Sequence, residues 1–237
     1  MEGKDWLRRV RTAIGLGNQA QPDPDWPAWY RRYYDLNGPG KQDDLDLGTA
    51  DIVVLDAETT GLEVKTDRIL SIGALRIRSG VLRLEDQLEG YLENHSSRTD
   101  AAAVAIHGII PNSRRYEYST EEALLSKLVK YLGSAIIVGH HIGFDVEMIN
   151  LELERLGAGP LRNRVVDTAR LAQRLQPAGY WSPRDHYTLD SLARRYRIPL
   201  SDRHTALGDA FITGVLYLKL LAQLRVRLQR PVKLGDL

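Results

Sequence analysis

The chain has 237 residues, enough to bury one sizeable core, and its hydrophobic (43%) and charged (27%) fractions are ordinary for a soluble globular protein. It has no cysteine, which excludes disulfides, thiolate metal sites and a cysteine nucleophile. The absence of cysteine also suits a cytoplasmic location, which we expect. No apolar run approaches the ~18 residues that a membrane span needs, so we expect no membrane segment.

The formal net charge of +1 conceals an asymmetry along the chain. Residues 155–237 carry fifteen Lys and Arg against six Asp and Glu, whereas residues 1–154 carry seventeen against twenty-five. A basic region of this kind attracts polyanions such as nucleic acids. Arginine-rich helix faces are also common as solvated surfaces, so the asymmetry only supports a function argued from other residues.

Residues 1–50 differ in composition from the rest of the chain. The stretches 19–25 and 37–46 are rich in Pro, Gly, Asp and Gln, as linkers are. Between them, an aromatic helix is predicted over residues 26–34, with Asp25 as its cap. We interpret the whole segment as a helical, aromatic extension with a linker, whose aromatic side chains dock on the core or on a protein partner.

The main domain is predicted over residues 51–225, followed by a C-terminal tail over residues 226–237. Ser119 and Glu122 have the spacing of a capping box at the start of the first helix of this domain. The order of elements indicates a mixed α/β sheet with a meander on one side and parallel crossovers on the other. We predict strands over 52–55, 69–77, 81–91, 135–138 and 164–167, and helices over 119–132, 144–156, 188–196 and from 205 into the 220s.

Asp56 and Glu58 follow the apolar run of the first predicted strand, in the sequence Asp-Ala-Glu-Thr-Thr-Gly-Leu. Residues two apart on a strand point to the same face, so the two carboxylates converge. Buried like charges repel and need a cation, and hard oxygen ligands suit Mg²⁺ or Mn²⁺. A solvated loop pair is the alternative, but the hydroxyl residues and the glycine that follow favour close approach of a ligand.

A second candidate group lies where the fourth predicted strand ends. His140 and His141 follow that strand, and the next predicted helix begins with Phe144. Asp145 comes directly after it, where a carboxylate also suits the helix dipole without any metal. Two consecutive histidines are uncommon, although a hydrogen bond to a loop carbonyl explains one of them equally well.

A third group pairs His204 with Asp209 at the start of the last predicted helix. A histidine in this place reaches towards a site that the helix positions, and imidazoles serve as general bases because they titrate near neutrality. A capping or surface histidine is the alternative. The order of the three groups, and their placement at strand ends and helix starts, indicate a single catalytic site.

These motifs make the chain resemble the DEDD superfamily of 3′→5′ exonucleases, in the subgroup that uses a histidine, and most of all the proofreading epsilon subunits of bacterial DNA polymerase III. Residues 56–62 resemble the first exonuclease motif, with Ala57 in place of the usual threonine. Residues 140–145 resemble the second motif, and residues 203–210 the third. Residues 106–109 resemble a His-Gly-Ile segment of the same family.

The resemblance implies an RNase H-like fold: a mixed five-stranded sheet in the order 3-2-1-4-5, with strand 2 antiparallel and helices flanking the sheet. It implies a 3′–5′ exonuclease that hydrolyses phosphodiester bonds from the 3′ end of DNA, releases nucleoside 5′-monophosphates and acts in proofreading or repair. The expected partners are a nucleic acid with a 3′ end, single-stranded DNA in particular, and a protein bound through residues 1–50.

The resemblance also assigns roles to the site residues. Two Mg²⁺ or Mn²⁺ ions are expected to be held by Asp56, Glu58, Asp145 and Asp209 and to clamp the attacking and leaving oxygens. His204 is expected to take a proton from the attacking water, with Glu58 as the second catalytic residue. The 3′-terminal nucleotide is expected to contact Thr60, Gly61, Leu62, His107, His140 and Phe144.

Two other functions stay open on the sequence. The same chemistry on RNA, as in oligoribonuclease and RNase T relatives, depends on contacts to the 2′-hydroxyl that the sequence does not reveal, although the first motif favours DNA. The other is a nuclease that has lost its activity and serves as a nucleic-acid-binding scaffold. Such proteins usually lack a carboxylate or histidine that this chain retains, and partner docking through residues 1–50 is compatible with either.

Overall fold

A computed structural model describes residues 23–38, 43–93, 104–105, 107–109, 113–177 and 183–237. In chain order, the helices and strands are α1 (Ala28–Leu36), β1 (Ile52–Thr59), β2 (Ile69–Arg78), β3 (Val81–Leu92), β4 (Tyr118–Ser119), α2 (Glu121–Leu132), β5 (Ile136–Gly139), α3 (Gly143–Arg155), β6 (Val165–Asp167), α4 (Thr168–Arg174), α5 (Leu189–Arg195) and α6 (Ala206–Leu228). Two short 3₁₀ helices lie at Arg184–Tyr187 and Leu234–Asp236.

The strands form one sheet in the order β4-β3-β2-β1-β5-β6. β2 is antiparallel to β1 and β3, whereas β1 with β5, β5 with β6 and β3 with β4 pair in parallel. The predicted RNase H-like order, with its second strand antiparallel, is confirmed. The sheet also contains a strand that was not predicted, β4, which has two residues and lies at the edge beside β3. A strand this short leaves no periodic pattern in the sequence.

The central strand β1 is buried on both faces, as its continuous apolar run predicts. Ile52 and Val54 lie in the hydrophobic cluster formed with α4, α5 and α6. Val53 and Leu55 lie in the opposite cluster, formed with α1, α2 and α3. Helices therefore cover both faces of the sheet, and residues of β1 alternate between the two sides.

Helix α1 is anchored to the rest of the fold by buried tyrosines. Tyr30 and Tyr33 are 0% and 2% exposed and belong to the cluster beneath α2 and α3. The Tyr33 hydroxyl donates to Asn163 Oδ1 and accepts from the Arg162 backbone N–H at 2.7 Å. The Tyr30 hydroxyl donates to the Pro160 carbonyl at 2.6 Å. These two tyrosines leave almost no surface for a protein partner.

The predicted helix starts are partly wrong. Pro27 is the N-cap of α1 and makes no side-chain cap, so Asp25 does not cap this helix. Thr120 caps α2 through its side chain, which accepts from the Ala123 N–H at 3.3 Å, whereas Ser119 belongs to β4. Both sites offer several polar residues near the start of a helix, and tertiary packing decides which residue is the cap.

The predicted tail contributes to the core. Helix α6 continues past residue 225 to Leu228, and the chain then turns back against the segment before β1. Val232 and Leu234 are 3% and 4% exposed. The Val232 carbonyl accepts from the Leu47 N–H at 2.9 Å, and the Leu234 N–H donates to the Leu45 carbonyl at 2.9 Å. Domain boundaries at residues 50 and 225 stay predictions, and residues 1–22 lie outside the described ranges.

By length and composition, α6 would suffice to cross a membrane, and it is the one helix of the described ranges that would. However, 56% of its most apolar window is buried inside the fold. Leu216 and Tyr217, for example, are fully buried (0% exposed) in the cluster on the α6 side of the sheet. The apolar character of α6 therefore has an explanation in its packing against the sheet.

Candidate active site

The carboxyl end of β1 brings three carboxylates together. Asp56 and Glu58 lie on β1 in register with Ile52 and Val54, so they project on the α6 side of the sheet. Oxygen atoms of Asp56, Glu58 and Asp209, which lies in the first turn of α6, are within 4.8 Å of one another. Carboxylates at this spacing can share a hard divalent cation.

The position of Asp209 depends on a close approach of α6 to the sheet. Gly73 of β2 pairs with Asp56, and a Cβ on Gly73 would lie 2.2 Å from the Leu207 backbone nitrogen. Only glycine fits at this point, so the first turn of α6, capped by Thr205, lies directly against the strand next to Asp56. The role of Gly73 is not evident in the sequence, because it depends on strand pairing.

Asp145 reaches the site from the other face of the sheet. It lies in the first turn of α3, is 6% exposed and accepts from the Ala57 backbone N–H at 3.0 Å. Ala57 packs in the cluster beneath α3, so its side chain points away from Asp56 and Glu58. Within the described ranges Asp145 is not one of the three converging carboxylates, but it is bonded to the backbone between two of them.

The fold holds these carboxylates where negative charge is unfavourable. Burial is the largest cause that raises the pKa of Asp56, followed by the charges of Asp145 and the other two carboxylates. Burial and the charge of Asp209 raise the pKa of Glu58 to about 7. Burial also raises the pKa of Asp145 and of Asp209. A buried group of like charges is stabilised by a cation, and the hard oxygen donors fit Mg²⁺ or Mn²⁺.

His204 lies beside Asp209, in the loop before α6. Its side chain is half-buried, and its φ of +67° is in the left-handed region, which is uncommon for a residue with a Cβ. Its backbone N–H donates to Asp209 Oδ1 at 3.4 Å. The backbone conformation and this contact place His204 next to Asp209.

Arg203 joins the same site, and the sequence analysis gave it no role. Its Nη1 donates to Asp209 Oδ2, and its Nε donates to Asp190 Oδ1 at 2.6 Å. The charge of Arg203 also lowers the pKa of Glu58, against the larger effects of burial and Asp209. The only signal in the sequence is that this arginine directly precedes the histidine of the third motif.

The loop after β1 is held in shape by Asp67, another residue that the sequence analysis missed. Asp67 accepts from the Thr60 hydroxyl at 2.8 Å and from the Glu63 N–H at 2.7 Å. A Cβ on Gly61 would lie 2.6 Å from Asp67 Oδ2, so glycine is needed there. The hydroxyl of Thr60 therefore stabilises the conformation of the loop. In this conformation the side chain of Leu62 is 85% exposed.

His107 offers a hydrogen-bond donor to the site. It is 8% exposed, and its Nδ1 accepts from the Ile109 N–H at 3.0 Å, so its Nε2 carries the proton. Nε2 lies close to the Thr59 backbone but forms no hydrogen bond within the described part of the chain. Burial lowers the pKa of His107, as does the nearby His204. Ile106, the neighbour of His107 in the family-like segment, lies outside the described residues.

His140 follows β5 directly and has one ring nitrogen in contact with a hydroxyl. Its Nδ1 lies 2.9 Å from Thr168 Oγ1, and that hydroxyl donates to the Gly139 carbonyl at 3.2 Å. Nε2 has no hydrogen-bond partner among the residues described. Burial, followed by the neighbouring His141, lowers the pKa of His140 to about 4, which keeps the ring neutral at physiological pH.

The two remaining residues of the second motif differ in exposure. Phe144 is half-buried and packs on the cluster beneath α3, next to Asp145 in the chain. His141 is exposed, with a φ of +53°, and its N–H donates to Asp167 Oδ1 at 3.2 Å. The same Asp167 oxygen accepts from the Ala169 N–H at 2.9 Å and so caps α4. Asp167 thus supports the loop that carries both histidines.

A family model described as Exonuclease (RNase_T) matches residues 53–217. DNA polymerase III PolC-type of Staphylococcus haemolyticus is 29% identical to this chain over 185 residues, which are 78% of this chain and 12% of the relative. The enzyme of the same description from Staphylococcus aureus gives the same figures. The chain thus spans a small part of the length of these curated relatives.

Solved structures share the fold. E. coli Exonuclease I in complex with a dT13 oligonucleotide matches with a TM-score of 0.64 and 22% identity, over 76% of this chain and 43% of that chain. The zinc-ion-bound form of an E. coli ExoI–ssDNA complex matches with a TM-score of 0.63 and 22% identity, over 77% of this chain and 42% of that one. At such low identity these matches show similarity of fold alone, which agrees with the sheet order described above.

Proposed function

Because the chain belongs to the exonuclease family, whose model covers residues 53–217, we propose that it removes nucleotides from the 3′ end of DNA. The observation that carries this proposal is the convergence of Asp56, Glu58 and Asp209, with Asp145 bonded to the backbone between the first two. Burying carboxylates of like charge next to each other lowers the stability of a fold, so this cluster is better explained by a function than by folding.

We infer that these four carboxylates hold two divalent ions, Mg²⁺ or Mn²⁺. Their oxygens are hard ligands, and they lie on a strand end and on the first turns of α3 and α6, which fixes them before any ion arrives. When bound, the ions would stabilise the charge that develops on the attacking and leaving oxygens of an in-line displacement.

His204 is proposed as the general base. A water oxygen forms a bond to the last phosphorus while the bond from that phosphorus to the 3′ oxygen of the preceding nucleotide breaks. His204 accepts the proton of the water, and the leaving oxygen is protonated from solvent, which releases a nucleoside 5′-monophosphate. Glu58, whose oxygen lies within 4.8 Å of those of Asp56 and Asp209, is the second proposed catalytic residue.

The terminal nucleotide is proposed to lie against the loop after β1 and the two buried imidazoles. Leu62 is exposed and held by a preformed loop, so it can contact a base or sugar without reordering. The buried Nε2 atoms of His107 and His140 have no hydrogen-bond partner among the described residues, and a nucleotide can satisfy them. The full proposed set is Thr60, Gly61, Leu62, His107, His140 and Phe144.

DNA is the proposed substrate rather than RNA. The PolC-type relatives are named as DNA polymerases, and the Exonuclease I structures contain a dT13 oligonucleotide or single-stranded DNA. A role in proofreading or repair, a cytoplasmic location and a protein partner of residues 1–50 belong to the proposal as well. The basic balance of residues 155–237 supports attraction of a polyanion.

The test uses a 5′-labelled single-stranded DNA and a matched RNA, with Mg²⁺ or Mn²⁺. We expect a ladder that shortens from the 3′ end, faster on DNA, and that disappears in EDTA and in Asp56→Asn. Asp35→Ala, which removes an exposed carboxylate on α1, should cleave like the wild type. If folded wild-type protein cleaved neither substrate and bound no metal, the scaffold function would replace this proposal.

A further inference from the structure

The side chain of Arg203 lies against the candidate site and makes three polar contacts there. Its Nη1 donates to Asp209 Oδ2 and lies 3.3 Å from His204 Nδ1. Its Nε donates to Asp190 Oδ1 at 2.6 Å. The side chain is only 23% exposed, so most of its charge is removed from water and has to be balanced by these neighbours.

Two of these contacts engage atoms that the proposed reaction needs. A guanidinium group has no acceptor, so in the contact with His204 the lone pair of Nδ1 points at Arg203. Asp209 Oδ2 is likewise occupied by a cationic donor, although Asp209 is one of the three converging carboxylates. As long as Arg203 stays in this place, the lone pair of His204 Nδ1 is engaged, and a cation bound at Asp209 has to share Oδ2 with the positive charge of Arg203.

We propose that Arg203 is a positioning residue that acts as an internal counter-ion: it neutralises Asp209 and holds His204 in the metal-free protein, and divalent ions displace it towards Asp190. The inference rests on the proposed function, because it concerns the same carboxylates. It goes beyond that function by giving the chain a built-in competitor for its metal ions. Arg203 keeps the like charges tolerable before metal binds, and it thereby weakens metal binding.

Asp190 provides the place to which Arg203 withdraws. It lies in the first turn of α5, and its side chain is 35% exposed, so it can change its hydration as the guanidinium moves. By sharing the charge of Arg203, Asp190 weakens the hold of Arg203 on Asp209. Neutralising Arg203 and neutralising Asp190 should therefore change the metal affinity in opposite directions.

The experiment is a calorimetric titration of Mn²⁺ into the full chain, for the wild type, Arg203→Gln, Asp190→Asn and the double variant. We expect Arg203→Gln to tighten binding about 10- to 100-fold, since hydrogen bonds between charged groups are worth that much. Asp190→Asn should weaken it by a similar factor, and the double variant should behave like Arg203→Gln, because Asp190 acts through Arg203.

Three controls make the outcome specific. Arg195→Gln removes an exposed positive charge from the same helix as Asp190, and it should leave the affinity within about twofold because exposed charges are screened. Arg203→Lys keeps a cation in place and should stay near the wild type. Circular dichroism establishes that each variant is folded before it is titrated.

The results separate this inference from the function on which it rests. If the wild type binds Mn²⁺ and Arg203→Gln binds it equally or more weakly, Arg203 is no competitor and the inference is wrong while the function stands. The inference also falls if Asp190→Asn tightens binding. If the wild type binds no Mn²⁺ at all, both the metal site and the competitor are wrong.

Discussion

Among the described residues, the polar side chains under α1 and those of the candidate active site are buried in opposite ways. Under α1, the Tyr33 hydroxyl both donates and accepts a hydrogen bond, to Asn163 and from Arg162. The Asn163 amide in turn donates to the Gly133 and Ala135 carbonyls at 3.0 and 2.7 Å. The buried polar groups of Tyr33 and Asn163 thus have hydrogen-bond partners, so their burial is compatible with a stable fold.

The candidate active site shows the reverse. Its carboxylates are buried against each other, and the Nε2 atoms of His107 and His140 have no hydrogen-bond partner within the described ranges. Arg203 is the cation that contacts Asp209. The difference shows that the buried polar groups of the candidate site lower the stability of the fold. Such a loss of stability is expected in a site where bound ligands complete the interactions of the buried groups.

The largest expected effect breaks function without breaking the fold. His204→Ala should lower turnover by about 10²- to 10⁴-fold, because a general base is lost, while Mn²⁺ binding and thermal stability persist. Single-turnover hydrolysis of labelled DNA measures the change, and His186→Ala, at an exposed histidine, is the control. Wild-type turnover of His204→Ala at neutral pH would show that the base is another group.

The opposite effect is expected under α1. Tyr33→Ala should lower the free energy of unfolding by about 3–5 kcal/mol, as truncation of a buried aromatic residue does, and it removes the donor to Asn163 Oδ1. Leu36→Ala on the same helix removes a side chain that is 64% exposed and should change stability by less than about 0.5 kcal/mol. Urea denaturation compares them.

The urea denaturation of Tyr33→Ala would also show whether α1 is part of the core. If Tyr33→Ala is as stable as the wild type, α1 is an appendage whose removal the fold tolerates. If it unfolds at a lower urea concentration, as we expect, α1 is part of the core, and a partner of residues 1–50 has to bind to other surfaces of that segment.

The comparison also predicts how stability depends on pH. In the metal-free protein the pKa of Glu58 is raised from 4.5 to about 7, so between these values the folded state binds more protons than the unfolded state. The contribution of Glu58 is therefore fully present below pH 4.5 and lost as the pH rises through 7, a fall on the order of 3 kcal/mol at most.

Denaturation in EDTA across this pH range measures the effect. Glu58→Gln should make the fall less steep, because the other buried carboxylates still contribute, whereas Glu63→Gln, at an exposed position of the adjoining loop, should leave the profile unchanged. A wild-type profile in EDTA that rises from pH 5 to 7 would mean that Glu58 is compensated in the fold, and the contrast between the two regions would be lost.

The smallest expected effect concerns the surface beside the carboxylates. Leu62→Ala should change stability by less than about 0.5 kcal/mol, because the side chain is already 85% exposed. It should raise KM about fivefold through the loss of one apolar contact worth about 1 kcal/mol, with kcat nearly unchanged. Val226→Ala, at an exposed position on α6, is the control. An unchanged KM would place the nucleotide elsewhere.

Much of the fold was predictable from the sequence, because the information is local. The apolar run before Asp56 predicts a central strand, and a spacing of two residues predicts that Glu58 shares the face of Asp56. The motif order predicts that Asp145 and Asp209 come from the starts of helices, which is where they lie. The catalytic and ligand roles of these residues stay predictions.

The remaining features depend on contacts between distant segments. Gly73 matters because α6 packs on it, and Asp67 because the chain after β1 folds back on itself. The contact of Arg203 with Asp190 joins the loop before α6 to α5, a relation that no spacing reveals. Capping of α1 and α2 by Pro27 and Thr120 is settled by packing as well.

The measurement that tests the central claim most directly is the free energy of unfolding at neutral pH in EDTA and in Mn²⁺, for the wild type and Asp56→Asn. The buried carboxylates are expected to lower the stability of the fold until a cation binds to them. We therefore predict that Mn²⁺ at 100 times its Kd stabilises the wild type by about 2.7 kcal/mol, and that Asp56→Asn is at least as stable as the wild type in EDTA but gains little from Mn²⁺. Equal responses of the two proteins to Mn²⁺, or no response of the wild type, would contradict the central claim.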